Sequence, residues 1–163
     1  MSSKFEILMN QLGISEQLRQ DPALVDASIE RVVVHKISKV WEFHFVFSNI
    51  LPIEIFLELK KGLSEEFSKT GNKAVFEIKA LSQEFSNELL QSYYKEAFSE
   101  GPCASQGFKS LYQNLLVRAE ENQLFIEGSE AIDKEHFKKN HLPNLAKQLK
   151  KFGFPAFICQ IEK

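Results

Sequence analysis

The chain has 163 residues, 44% hydrophobic and 26% charged, with a net charge of −2 and a pI near 6.1. This composition excludes a wholly disordered chain and suits one domain or two small ones. The charge balance lacks the basic excess usual for a domain that binds DNA through its phosphates.

Ser3-Lys-Phe-Glu6 has capping-box spacing, with Ser3 as the predicted cap of a first helix. Phe5, Leu8, Met9 and Leu12 follow at helical spacing. Gly13 then ends the helix in a left-handed conformation. Asp21-Pro22 reads as an N-cap followed by proline at the first helical position of a short helix over 22–27.

The next stretch, VVVHKISKVWEFHFVF (residues 32–47), is rich in β-branched and aromatic residues. It predicts strands over 31–37 and 40–47. Ser38 and Lys39, or a four-residue loop, join them. Either loop is even in length and keeps the same pairing parity. One face then carries Val32, Val34, Lys36, Trp41, Phe43, Phe45 and Phe47, and is expected to be buried. The other carries Arg31, Val33, His35, Ile37, Val40, Glu42, His44 and Val46, with His35 opposite Glu42.

Pro52 opens a helix whose core stripe is Phe56, Leu59, Leu63 and Phe67. Leu57 and Ile53 lie off that stripe, a second packing face or a docking contact. Gly71-Asn72 stops the helix, and residues 73–80 form a third strand. A helix over 84–98 follows, with Phe85, Leu89, Leu90, Tyr93, Tyr94, Ala97 and Phe98 on its apolar face. Gly101-Pro102 terminates it. Next come a helix near 105–114 and strands near 115–119 and 123–127, with a turn at Glu121-Asn122. Ser129 is the predicted cap of a helix reaching about 140. Leu142-Pro143 opens another that Gly153 ends, and residues 156–162 are the last strand. The pattern is α+β: two small lobes, 1–80 and 81–163, each with helices and a ββαβ-like unit. The boundary is expected near residues 80–84.

Two cysteines, Cys103 and Cys159, stand far apart in no CxxC pattern, which argues against a disulfide framework or a zinc ribbon. The first residues have no apolar leader segment, and nothing approaches 18 consecutive apolar residues. A soluble, cytoplasmic protein without membrane contact is expected. There is no GxSxG, P-loop or GxGxxG, and no paired aspartates for two-metal chemistry. No catalytic residue, cofactor or metal site is assigned.

Three surface readings remain. His35, Glu42 and His44 share a hairpin face, where two imidazoles and a carboxylate would suit zinc. A solvated polar face is the simpler account of them. Trp41, Phe43 and Phe45 have only Lys36 on their face, which favours a core over a base-stacking platform. Residues 81–133 hold nine acidic and three basic residues, net −6, whereas 134–151 hold six lysines and one glutamate, net +5. Lys134, Lys138 and Lys139 belong to that basic run, which could follow a phosphate backbone; a solvated helical face is the simpler reading.

One resemblance extends these readings. Val33-Val34-His35-Lys36, Ser38, Trp41-x-Phe43-His44-Phe45 and Ile50-Leu51-Pro52-Ile53-Glu54 resemble the start of the PolC-type DNA polymerase III alpha subunit of low-GC Gram-positive bacteria. Lys151-Phe152-Gly153-Phe154-Pro155 resembles the end of that polymerase's N-terminal region. Ile37 and Val40 depart from the family, which is more polar there. The resemblance implies two small N-terminal domains similar to KH-like folds and to the C-terminal domain of the clamp-loader tau subunit. It also implies a tethering role toward tau, with single-stranded DNA as the alternative partner. The polymerase and proofreading exonuclease domains of the family have no counterpart in these residues, so no catalytic residue is carried over. On this view Arg31, His35, Glu42, His44, Leu57, Lys134, Lys138 and Lys139 are the candidate partner-binding residues.

Overall fold

The computed structural model describes residues 1–99, 105–127 and 134–158. The chain divides into two compact units, Met1–Glu84 and Phe85–Lys163. Both are α+β.

In the first unit, helix α1 spans Ser3–Leu12. Its cap is Ser2, not Ser3: the Ser2 hydroxyl accepts from the Phe5 amide (3.3 Å). Ser3 already has helical backbone, so the cap falls one residue earlier. Gly13 closes the helix at φ 69°. A one-turn helix, α2 (Glu16–Arg19), was not predicted; Ser15 caps it through the Leu18 amide. The helix expected over 22–27 is only a 3-10 turn, Pro22–Leu24, capped by Asp21.

Strands β1 (Ser28–His35) and β2 (Val40–Phe47) pair antiparallel. The loop has four residues, 36–39, and Lys39 turns it at φ 57°. Helix α3 (Ile53–Ser68) leads to β3 (Lys73–Ala80), which pairs parallel with β2. The strand order is β1-β2-β3, so β2 is central. Phe43, Phe45 and Phe47 of β2 are buried under the helices. Phe5 of α1 meets Phe45 and Phe47 edge-on, at 5.6 and 5.7 Å between ring centroids. Phe67 of α3 packs on Trp41 and Phe43, and Phe56 on Phe76. Such aromatic pairs add about 0.5–1.5 kcal/mol each beyond the area they bury.

The expected buried face is buried on β2 but not on β1. Val32 and Val34 pair with Phe43 and Trp41 on that same face, yet remain 40% and 43% exposed. The helical layer covers β2 and β3 and stops short of the middle of β1.

In the second unit, α4 (Asn87–Glu96) is capped by Ser86 and buries Leu90, Tyr93 and Tyr94. A 3-10 turn, Ala97–Ser99, extends it. Helix α5 (Gln106–Tyr112) precedes the hairpin of β4 (Leu116–Glu120) and β5 (Gln123–Glu127). Glu121 and Asn122 both take positive φ, 48° and 65°, which matches the right-handed twist of a two-residue hairpin turn. Helix α6 (Lys134–Asn140) is followed by α7 (Leu142–Lys151), which buries Leu142, Leu145, Ala146 and Leu149. Gly153 turns the chain at φ 108°. Phe85, Tyr93, Phe152, Phe154 and Phe157 then form an aromatic cluster.

The strand expected over 156–162 is represented in the described residues by a single bridge. Ile158 lies parallel to β5, donating its amide to the Asn122 carbonyl (2.7 Å) and accepting from the Leu124 amide (3.2 Å). Hairpin, helix and parallel return thus recur in both units. Ser129, Gly101, Pro102, Cys103 and Cys159 lie outside the described residues.

Candidate functional site

A polar cluster lies on the face of the three-stranded sheet opposite the buried phenylalanines of β2. Strand alternation puts Arg31, Val33 and His35 of β1, Glu42 and His44 of β2, and Glu77 of β3 on this face. Register aligns Arg31, His44 and Glu77 in one row. His44 is central: its Nε2 donates to Glu42 Oε2 (2.7 Å), and its Nδ1 lies 3.7 Å from Glu77 Oε2. Only 12% of the His44 side chain is exposed. Its hydrogen bond to Glu42 is the main cause that holds the Glu42 carboxyl below its ordinary range. Partial burial opposes this, and the charges of His44, His35 and Arg31 reinforce it.

The trio His35, Glu42 and His44, read from the sequence more simply as a solvated polar face than as a zinc site, does not assemble. The four-residue loop places His35 opposite Val40, and Glu42 opposite Val33. The groups brought to His44 are instead Glu42 and Glu77. Among the described residues, no three His, Cys, Asp or Glu side chains stand close enough to hold a metal ion. Glu77 was missed because parallel pairing with a distant strand leaves no local signal. The pairing of two hydrophobe-rich segments, 40–47 and 73–80, was the only hint.

Leu57 is exposed on α3, 42% of it, whereas Ile53 is half-buried. Lys134, Lys138 and Lys139 fall on α6, and Lys139 is exposed. The side chains of Lys134 and Lys138 lie outside the described ones. A second histidine pair, five residues apart in the chain, comes together here. The break between α6 and α7 brings the His136 and His141 rings to 5.3 Å. His141 also packs on Tyr112 and Phe137. Burial, and then the neighbouring His136, lower the pKa of His141 below its ordinary value. No helix among the described residues is long and apolar enough to cross a membrane.

The geometry defines a pair of small α+β units. The comparisons name the chain's family. Residues 4–78 match the model "DNA polymerase III polC-type N-terminus I" and residues 92–163 match "DNA polymerase III polC-type N-terminus II". The chain belongs to the PolC-type DNA polymerase III family and carries both of its N-terminal regions. It is 88% identical, over its whole length, to DNA polymerase III PolC-type of Streptococcus pneumoniae (strain D39), of which it covers 11%. The Streptococcus sanguinis protein of that name is 61% identical over 99% of this chain and 11% of its own. The Streptococcus pyogenes serotype M5 protein is 43% identical over 94% and 10%. The chain therefore spans about a tenth of the curated relatives it matches. No solved structure matches it.

Proposed function

We propose that this chain is a non-catalytic N-terminal module of a PolC-type replicative polymerase, and that it tethers the polymerase to the clamp-loader tau subunit. One observation carries the reading: the two units match the family's two N-terminal regions. The Glu42 and Glu77 carboxylates stand against the His44 imidazole, and Arg31 and His35 beside them are exposed. Charges so placed contribute register and encounter rate more than affinity. No cofactor is required for such a role.

Calorimetric titration with the C-terminal region of the cognate tau subunit tests this. A stoichiometric complex supports the tether. Absence of both heat and co-elution overturns it.

A second reading, a single-strand binding module, has one observation in its favour. The basic run continues along α7, where Lys147, Lys150 and Lys151 are all exposed. Against it, Phe43, Phe45 and Phe47 are buried and offer no stacking surface. Lys150 and Lys151 also sit in the last turn of α7, where they complement the helix dipole. This reading requires single-strand affinity that falls steeply with salt; a flat response removes it.

A further inference from the structure

The two units treat the first strand of their hairpins differently. In the second unit, the outer edge of β4 is blocked by helix α4. Gln91 donates to the Leu115 carbonyl (3.0 Å) and accepts from the Val117 amide (2.8 Å). Asn87, one turn earlier, accepts from the Ala119 amide (3.2 Å). Two amide side chains at i and i+4 thereby stand in for a neighbouring strand. In the first unit, β1 is likewise the edge strand. Among the described residues, its stretch Ile29–His35 makes no backbone hydrogen bond to any element other than β2. Folded proteins ordinarily blunt such an edge. The irregularity between Ile29 and Arg31 disturbs its beginning, and Arg31–His35 runs on in regular register.

The side chains along this open edge are patterned. Val32 and Val34 face the helical side, about two-fifths exposed each, and fully exposed Ile37 follows at the loop. Arg31 and His35 face the other side, both exposed, with exposed Lys36 and Lys39 at the strand's end. The edge thus offers a backbone ladder, an apolar strip on one face, and on the other the Arg31 and His35 side chains, outermost on a face that carries Glu42 and Glu77 on the inner strands.

We propose that the outer edge of β1, over Arg31–His35, is a docking edge for an extended segment of a partner protein. That segment alternates apolar with acidic residues and adds as a fourth strand. The proposal rests on the tethering reading in that it supplies the surface through which a partner is held. Main-chain bonds give such strand addition its affinity, and alternate side chains its specificity. The segment's apolar residues would cover Val32 and Val34, and its carboxylates would face Arg31 and His35. A second copy of the chain is disfavoured as the occupant. Antiparallel pairing centred on Val33 sets Arg31 against His35 of the other copy, two basic side chains directly opposed.

The probe is a labelled synthetic peptide of alternating valine and glutamate, titrated into the whole chain by fluorescence anisotropy. Saturable binding is expected. It should weaken about tenfold with a valine–lysine peptide, and the double variant Arg31→Glu, His35→Glu should reverse that preference. Methylating the peptide's backbone amides should abolish binding. Circular dichroism checks that the variant is folded. No saturable binding, equal binding of both peptides, or tolerance of methylation overturns the proposal. So does self-association of the chain that the same double variant removes, because the edge is then a dimer contact. The tether is read separately with the tau region. Tau bound equally well by wild type and by a Val32→Lys, Val34→Lys variant overturns the docking edge and leaves the tether. Peptide binding without tau binding does the reverse.

Discussion

At the residue scale, His44 decides the electrostatics of the open sheet face. Its side chain is only 12% exposed, and carboxylates from two strands stand against it. Glu42 has its pKa lowered, so the folded state binds its proton less readily than the unfolded chain does. Its stabilisation is therefore full above the ordinary value of 4.5 and is lost as pH falls through the folded value. Wild type should exceed Glu42→Gln in melting temperature above about pH 5, by up to ~1 kcal/mol in stability as for partly exposed pairs. The two should converge in acid, and thermal melts across that range check this. His141 behaves in the opposite sense. Its pKa is lowered too, but its charged form is the protonated one. Its burial thus costs stability progressively as pH falls below 6.5, until the folded value is passed. A His141→Phe variant keeps the ring packing against Tyr112 and Phe137. It should gain stability relative to wild type as pH falls below about 6.5, and should show no such relative gain above pH 7. Urea midpoints at each pH measure the difference.

At the element scale, α3 is the helix on which the first unit depends. Its Phe56, Leu59 and Leu63 are all but fully buried. Its one glycine, Gly62, packs against the C-terminal end of α1. A Cβ added there would lie 3.3 Å from both Leu12 Cβ and Ile14 Cδ1. Gly62→Val should cost about 1–3 kcal/mol by overpacking, lowering the urea midpoint without changing the slope. Strand edges are the other decision at this scale. The Gln91 and Asn87 amides close one edge, and among the described residues nothing comparable closes β1.

At the scale of the whole molecule, each unit holds its own set of buried aromatics: Phe5, Phe45, Phe47 and Phe56 in the first, Tyr93, Tyr94, Phe98 and Phe154 in the second. A segment of residues 1–84 carries a three-stranded sheet with helices on one face, the minimum that folds independently. Expressed alone, it should unfold in one cooperative transition in urea, monitored by the fluorescence of Trp41. A non-cooperative, sloping transition would show that the first unit depends on residues beyond Glu84.

Much of this was legible from local chemistry. The alternation in residues 40–47 marks a half-buried strand because side chains on a strand point to opposite faces in turn. Pro52 and Pro143 mark helix starts, and Gly13, Gly71 and Gly153 mark reversals, because their allowed backbone angles leave little choice. Glu121-Asn122 marked its turn for the same reason. The family wording in residues 33–54 was likewise readable before any fold. The sequence alone did not decide which strand the hairpin would meet next, how far the helices would reach across it, or which side chains would stand around His44. Those outcomes depend on pairing between segments some thirty residues apart, and a period of two is blind to them. It labels Val32 and Phe43 as equals, yet the tertiary structure buries Phe43 beneath Phe67 and leaves Val32 at an open edge. Burial is a property of what packs above a residue, and that is settled only when the whole unit has formed.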